Sequence, residues 1–96
     1  MSISFSVVVK NEDGLHARPA SIFVHYFILN GVDALIRYED REVSGHSLLD
    51  VLSLCVPKGG EIHIDIAQDD RGGCGTLSVD EVERDIRELF DVVFMG

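Results

Sequence analysis

Chemistry-bearing residues are densest in the segment Gly14-Leu15-His16-Ala17-Arg18-Pro19-Ala20. The polar turn Asn11-Glu12-Asp13-Gly14 precedes it and an apolar helical pattern follows, so the segment lies where a turn becomes a helix. His16 falls at the expected N-cap, with Ala17, Arg18 and Pro19 as the first three helical residues. Pro19 has no N–H to donate, and its fixed φ suits a first turn. The amides of Ala17 and Arg18 are then left without intrahelical acceptors at the positive end of the helix dipole, which makes an anion site out of backbone. An imidazole placed there is a nucleophile beside a phosphate cradle. The dipole and Arg18 both disfavour an imidazolium, so His16 is expected to be largely neutral near neutral pH. Once a phosphoryl group is attached, the two amides and the Arg18 guanidinium are placed to meet its charge. Small residues at Ala17 and Ala20 leave room for a partner's active site to close over the imidazole. The competing reading is that His16 only caps the helix, although histidine is a poor N-cap beside Ser, Asp or Asn.

Other chemistry is sparse. Cys55 and Cys74 form neither a CxxC nor a metal-ligand spacing. Cys55, in Leu54-Cys55-Val56, is expected in the core, and Cys74 in the glycine-rich Gly72-Gly73-Cys74-Gly75 loop. His25, His46 and His63 show no metal-binding pattern, so no metal or cofactor is expected. GxSxG, P-loop and GxGxxG signatures are missing. Seventeen acidic residues against eight Lys plus Arg give a formal charge of −9, which argues against nucleic acid or an anionic membrane surface as partner. No long apolar run or basic leader suggests insertion or export, leaving the cytoplasm as the expected compartment.

The remaining pattern supplies the elements that must hold His16 in place. With 96 residues, 46% of them apolar, the chain is expected to fold as a single domain over residues 1–96. Ile3, Phe5, Val7 and Val9 alternate as a strand with one buried face. Ala17, Ala20, Phe23, Val24, Phe27 and Ile28 recur at helical spacing, and Asn30-Gly31 closes that helix. Val32 to Tyr38 and Arg41 to Val43 read as strands around a Glu39-Asp40 turn. Ser47 opens a short helix carrying Leu48, Leu49, Val51 and Leu52, with Asp50 at N3, and Pro57 and Gly59-Gly60 end it. Ile62, Ile64 and Ile66 alternate in a fourth strand. Ser78 and Glu81 form a capping box, with Leu77 and Val82 as a hydrophobic staple. Val79, Val82, Ile86, Leu89, Phe90 and Val93 then share one helical face, and Asp80–Arg84 and Glu83–Arg87 are spaced to pair. The order β-α-β-β-α-β-α predicts an α+β open-faced sandwich, a four-stranded antiparallel sheet covered on one face by three helices.

The 14–20 segment resembles the phosphorylation-site motif of HPr, the histidine-containing phosphocarrier of the bacterial phosphotransferase system. The likeness continues in His46-Ser47-Leu48-Leu49-Asp50-Val51-Leu52-Ser53-Leu54, similar to that family's regulatory-serine segment, and in Lys58-Gly59-Gly60-Glu61-Ile62. It covers roughly residues 3 to 93 in one register, and the family's open-faced sandwich has the element order read above. The resemblance implies that His16 is phosphorylated through Nδ1 with Arg18 as phosphate partner. It implies Enzyme I as donor and an EIIA-type sugar-permease subunit or a nitrogen-branch regulator as acceptor, the carrier acting as a monomer. It makes Ser47 a candidate for HPr kinase/phosphorylase, a position that helix capping explains equally well. Ala20, Leu48, Leu49 and Leu52 are expected on the docking surface.

The chain departs from the family pattern at several of these places. His25, Ile28 and Asp50 stand where basic residues often occur, Leu49 and Leu52 replace methionines, His46 replaces a frequent lysine and Cys55 a usual glycine. Residues 69–76 form a longer segment than is common. Two readings from different classes follow: a phosphoryl carrier that is itself the covalent substrate, and a non-catalytic docking module on the same fold controlled through Ser47. A stand-alone hydrolase using His16 lacks a second catalytic group nearby in sequence. His16 together with Arg18 favours the carrier, since a pure docking module needs neither.

Overall fold

The structure, a computed structural model, describes residues 2–67 and 78–93. Its elements are β1 (Ser2–Val8), α1 (Ala17–Leu29), β2 (Asp33–Tyr38), β3 (Arg41–Ser44), α2 (Leu48–Ser53), β4 (Glu61–Ala67) and α3 (Val79–Glu88), with a π-helical turn over Leu89–Val93. The expected Leu77–Val82 staple, Cys74 and residues 69–76 lie outside the described residues, as does the side chain of Val93.

The four strands form one antiparallel sheet in the order β1-β4-β2-β3. Register pairs Phe5 with Ile64 and Ile64 with Ile36, so the alternating apolar positions of three strands fall on one face. That face is buried by α1 and α3 through Ala20, Phe23, Phe27, Val82 and Ile86. Phe23 bridges the two layers of helix, meeting Phe27 edge-on at 5.2 Å and Phe90 at 5.5 Å. Such edge-to-face pairs contribute beyond their buried area. Tyr26 Oη donates to Asp85 at 2.7 Å, a second link between α1 and α3. The opposite face carries Ser4, Ser6, His63, Asp65 and Arg37, and here Arg37 Nε donates to Asp65 at 3.1 Å. No buried polar or charged residue occurs among the described residues.

The expected architecture is therefore present, with local corrections. Ala17 and Ile28, read as part of the apolar stripe of α1, are exposed. The helix carries apolar residues on two faces, and periodicity alone does not say which one the sheet takes. The helix at Ser47 stops at Ser53 instead of continuing to Pro57. Cys55, expected in the core, is exposed and adopts φ +52, while Leu54 and Val56 on either side of it are buried. In α3 the Glu83–Arg87 pair forms at 2.8 Å, but Arg84 lies 4.0 Å from Asp85 rather than pairing with Asp80. The last helix also widens to π geometry at Leu89, which turns Phe90 inward to Phe23.

Candidate functional site

His16 is the N-cap of α1, in extended conformation at φ −100° and ψ −173°. Three backbone contacts fix it there. Gly14 N–H donates to Asn11 at 3.0 Å, Leu15 N–H to the Val56 carbonyl at 2.9 Å, and Ala20 N–H to the His16 carbonyl at 3.0 Å. Gly14 takes φ +73, and a Cβ on it would stand 2.4 Å from the Val56 oxygen. Conformation and space both demand glycine at this position. Leu15 is buried as an anchor, so the following imidazole is left half-exposed at the surface.

The His16 side chain makes no capping hydrogen bond. Its role as N-cap is therefore filled by backbone alone, and the imidazole is free for chemistry. Ala17 and Arg18 keep N–H groups without intrahelical acceptors, and Pro19 is buried directly behind them. The first turn of α1 contains no acidic residue, whereas α2 and α3 carry Asp50 and Asp80 with Glu81 in theirs. The positive end of the α1 dipole is thus left for an external anion. Arg18 is exposed, and among the described residues no hydrogen bond or ion pair engages its guanidinium.

Helix α2, which Ser47 opens, lies against α1. Ser47 is the N-cap of α2 and accepts the Asp50 N–H at 3.4 Å. Gly45 approaches β2 so closely that a Cβ would stand 2.9 Å from the Ala34 Cβ, which presses the start of α2 onto the core. His46 Nε2 bonds the Val32 carbonyl at 2.5 Å, and Arg41 bonds the Ser53 carbonyl at 2.6 Å, so both ends of this short helix are tied down. Leu49 is exposed, and Leu48 and Leu52 are half-buried against the core. Ala20, expected on the docking surface, is fully buried instead: it faces the sheet, and no partner can reach it.

Several contributors carried no sequence signal. The Val56 carbonyl that clamps Leu15, and the Arg41 cap on α2, depend on contacts between segments distant in sequence. Lys58 pairs with Glu12 at 3.5 Å across the same junction. A cavity of about 360 Å³ opens at one end of the sheet beside Ser4, Asp33, Leu35 and His46, and residues 14–20 take no part in it. Among the described residues no group of three His, Cys, Asp or Glu side chains is placed to hold a metal ion.

Residues 3–73 match the family model described as the PTS HPr component phosphorylation site. The phosphocarrier protein HPr of Chlamydia pneumoniae is 36% identical over 59 residues, which cover 62% of this chain and 55% of that protein. The chain thus spans about half the length of this relative. The crystal structure of HPr-C-His from Thermoanaerobacter tengcongensis superposes with a TM-score of 0.78 at 22% identity, covering 98% of this chain and 97% of the other. The phosphocarrier protein HPr from Bacillus anthracis str. Ames gives 0.70 at 25% identity, covering 86% and 90%. Fold and matches together define an HPr-type domain, a four-stranded sheet covered on one face by helices. The chain belongs to the HPr family.

Proposed function

We propose that this chain accepts a phosphoryl group on His16 from Enzyme I and passes it to an EIIA-type acceptor or a nitrogen-branch regulator. The observation that carries this reading is the uncommitted imidazole at the one described α-helix start without an acidic first turn. In the forward step His16 Nδ1 attacks phosphorus; the P–N bond forms as the donor's bond to phosphorus breaks, and the donor leaves with that electron pair. The Ala17 and Arg18 amides and the Arg18 guanidinium meet the equatorial oxygens. The acceptor's nucleophile then reverses the operation, and His16 is regenerated. Neither step needs a cofactor or a metal. The chain acts as a monomer in the cytoplasm, where its donor and acceptors work.

Ser47 is the proposed target of an HPr kinase/phosphorylase. Its N-cap position favours a dianion through the dipole of α2, and a phosphate there would add a strongly hydrated group beside Leu48 and Leu49. Incubation with phosphoenolpyruvate and Enzyme I, followed by site mapping, tests the central claim. Wild type is expected to acquire an acid-labile, base-stable phosphate on His16, and His16→Ala none. Unchanged labelling of His16→Ala would overturn it.

A further inference from the structure

The cavity at the end of the sheet where β1 and β2 start and β4 finishes takes no part in the chemistry of His16. Register orders its lining. Asp33 and Ala67 lie side by side, and Asp65, Leu35 and Ser44 form the next row, two residues further along their strands. Ala34 and Ile66, between the rows, are buried, so strand alternation sends both rows to the other side of the sheet. His46, two residues past β3, adds to the same lining. At about 360 Å³ the cavity falls within the range of small-molecule sites, about 300–1,000 Å³. Leu35 is 45% exposed and offers apolar surface for a bound molecule to cover.

The hydrogen bonds already made decide which polar groups remain for a ligand. Asp65 accepts from Ser4 Oγ and, at 3.1 Å, from Arg37 Nε, which balances its charge. Ser44 Oγ accepts the His46 N–H at 3.1 Å. His46 Nε2 meets the Val32 carbonyl at 2.5 Å, and a carbonyl can only accept. Nε2 therefore carries the proton, and Nδ1 of the neutral ring is left as an acceptor. The Asp33 carboxylate is exposed and makes no hydrogen bond or ion pair among the described residues. An uncompensated anion and an acceptor nitrogen thus border the apolar surface, and no Lys or Arg stands in the described lining. An anionic ligand meets no positive charge there and is repelled by the chain's net −9. A cationic one is drawn in, and its N–H donors find acceptors.

We propose that this cavity binds a small organic ammonium ion, its charged head met by Asp33 and its apolar body by Leu35 and Ala67. The proposal does not depend on the carrier function. The test follows amide chemical shifts of the isotope-labelled full chain at about pH 8, where an alkylammonium is charged and an ordinary imidazole neutral. Three probes of one shape are titrated: phenethylamine, phenethyl alcohol and phenylacetate. Phenethylamine is expected to shift the amides of Asp33, Leu35, His46 and Ala67 saturably. Phenethyl alcohol is expected at the same residues but roughly three- to fivefold more weakly, the range for one exposed ion pair, and phenylacetate not at all. Raising KCl to about 500 mM should narrow the gap between amine and alcohol. Asp33→Asn should weaken the amine by the same factor and leave the alcohol unchanged. Asp33 is exposed at the first position of β2, so this variant is expected to keep the wild-type spectrum away from the cavity. Ala67→Leu, which fills the space, should abolish the shifts from both probes. Amine shifts that never saturate, that map to other residues or that survive Ala67→Leu would overturn the site. Equal affinity for amine and alcohol, tighter binding of phenylacetate, or wild-type amine affinity in Asp33→Asn would overturn the ammonium ligand.

Discussion

At the scale of single residues, the site depends on side chains that the fold leaves unused. Arg18 is exposed in a first turn, where replacing it by Ala changes helix propensity by only tenths of a kcal/mol. Its proposed work is on the phosphoryl group. Arg18→Ala is therefore expected to slow transfer from Enzyme I by about tenfold or more while shifting the denaturation midpoint little. Stopped-flow or quench-flow transfer rates beside a urea titration check both halves, and equal transfer rates would remove Arg18 from the mechanism. His16 and Arg18 were legible in the sequence because their positions follow from local rules: a turn, a proline in the first turn and an apolar helical pattern. Cys55 was not. Its left-handed backbone goes with a Val56 that is held both in the core and by the Leu15 amide, contacts distant in sequence, and the flanking Leu54 and Val56 suggested burial for all three. The one available signal was that the family usually has glycine there, the residue that takes positive φ at little cost.

At the scale of elements, capping decides how α2 is held. Ser47 Oγ accepts from Asp50 N–H, so Ser47→Ala is expected to lower stability by about 0.5–2 kcal/mol. Ser47→Asp keeps an acceptor at the cap and should stay within a few tenths of wild type. Urea midpoints of the two variants give the comparison, and equal losses would mean that the cap contributes nothing. The sequence yielded both capping residues, Ser47 and Ser78, since each signature spans four residues. It did not yield which face of α1 turns to the sheet at Ala17 and Ile28, and it put Ala20 both in the apolar stripe and on the docking surface, where only the first holds. Both are settled by how α1 seats on three strands contributed from separate parts of the chain. The π-helical turn at Leu89 has the same kind of origin, since the widening places Phe90 against Phe23 on another helix.

At the scale of the molecule, α1 and α3 are clasped by Tyr26 and Asp85 as well as by the phenylalanines. Burial, and then the hydrogen bond to Asp85, raise the Tyr26 pKa above its ordinary value of 10. A phenol whose pKa is higher folded than unfolded contributes its stability fully below pH 10, and that contribution is lost as pH rises beyond it. Tyr26→Phe is expected to lose about 1 kcal/mol at pH 8 and to decline less steeply than wild type in the alkaline range. Parallel curves from pH 8 to pH 12 would contradict the linkage. The strand order has a consequence in time. β2 and β3 are joined by a two-residue turn, but β1 must pair with β4, matching Ser2 to Ala67 and Val8 to Glu61. β1 has no pairing partner until β2, β3 and the two helices between it and β4 have all been made. Closing so long a loop is entropically expensive, so β1 is expected to dock after the barrier-crossing nucleus has formed around the hairpin and its helices. Val7→Ala, which trims a buried residue of β1, should then speed unfolding while leaving the refolding rate nearly unchanged. A chevron in which refolding slows by the full loss of stability would place β1 in the nucleus instead.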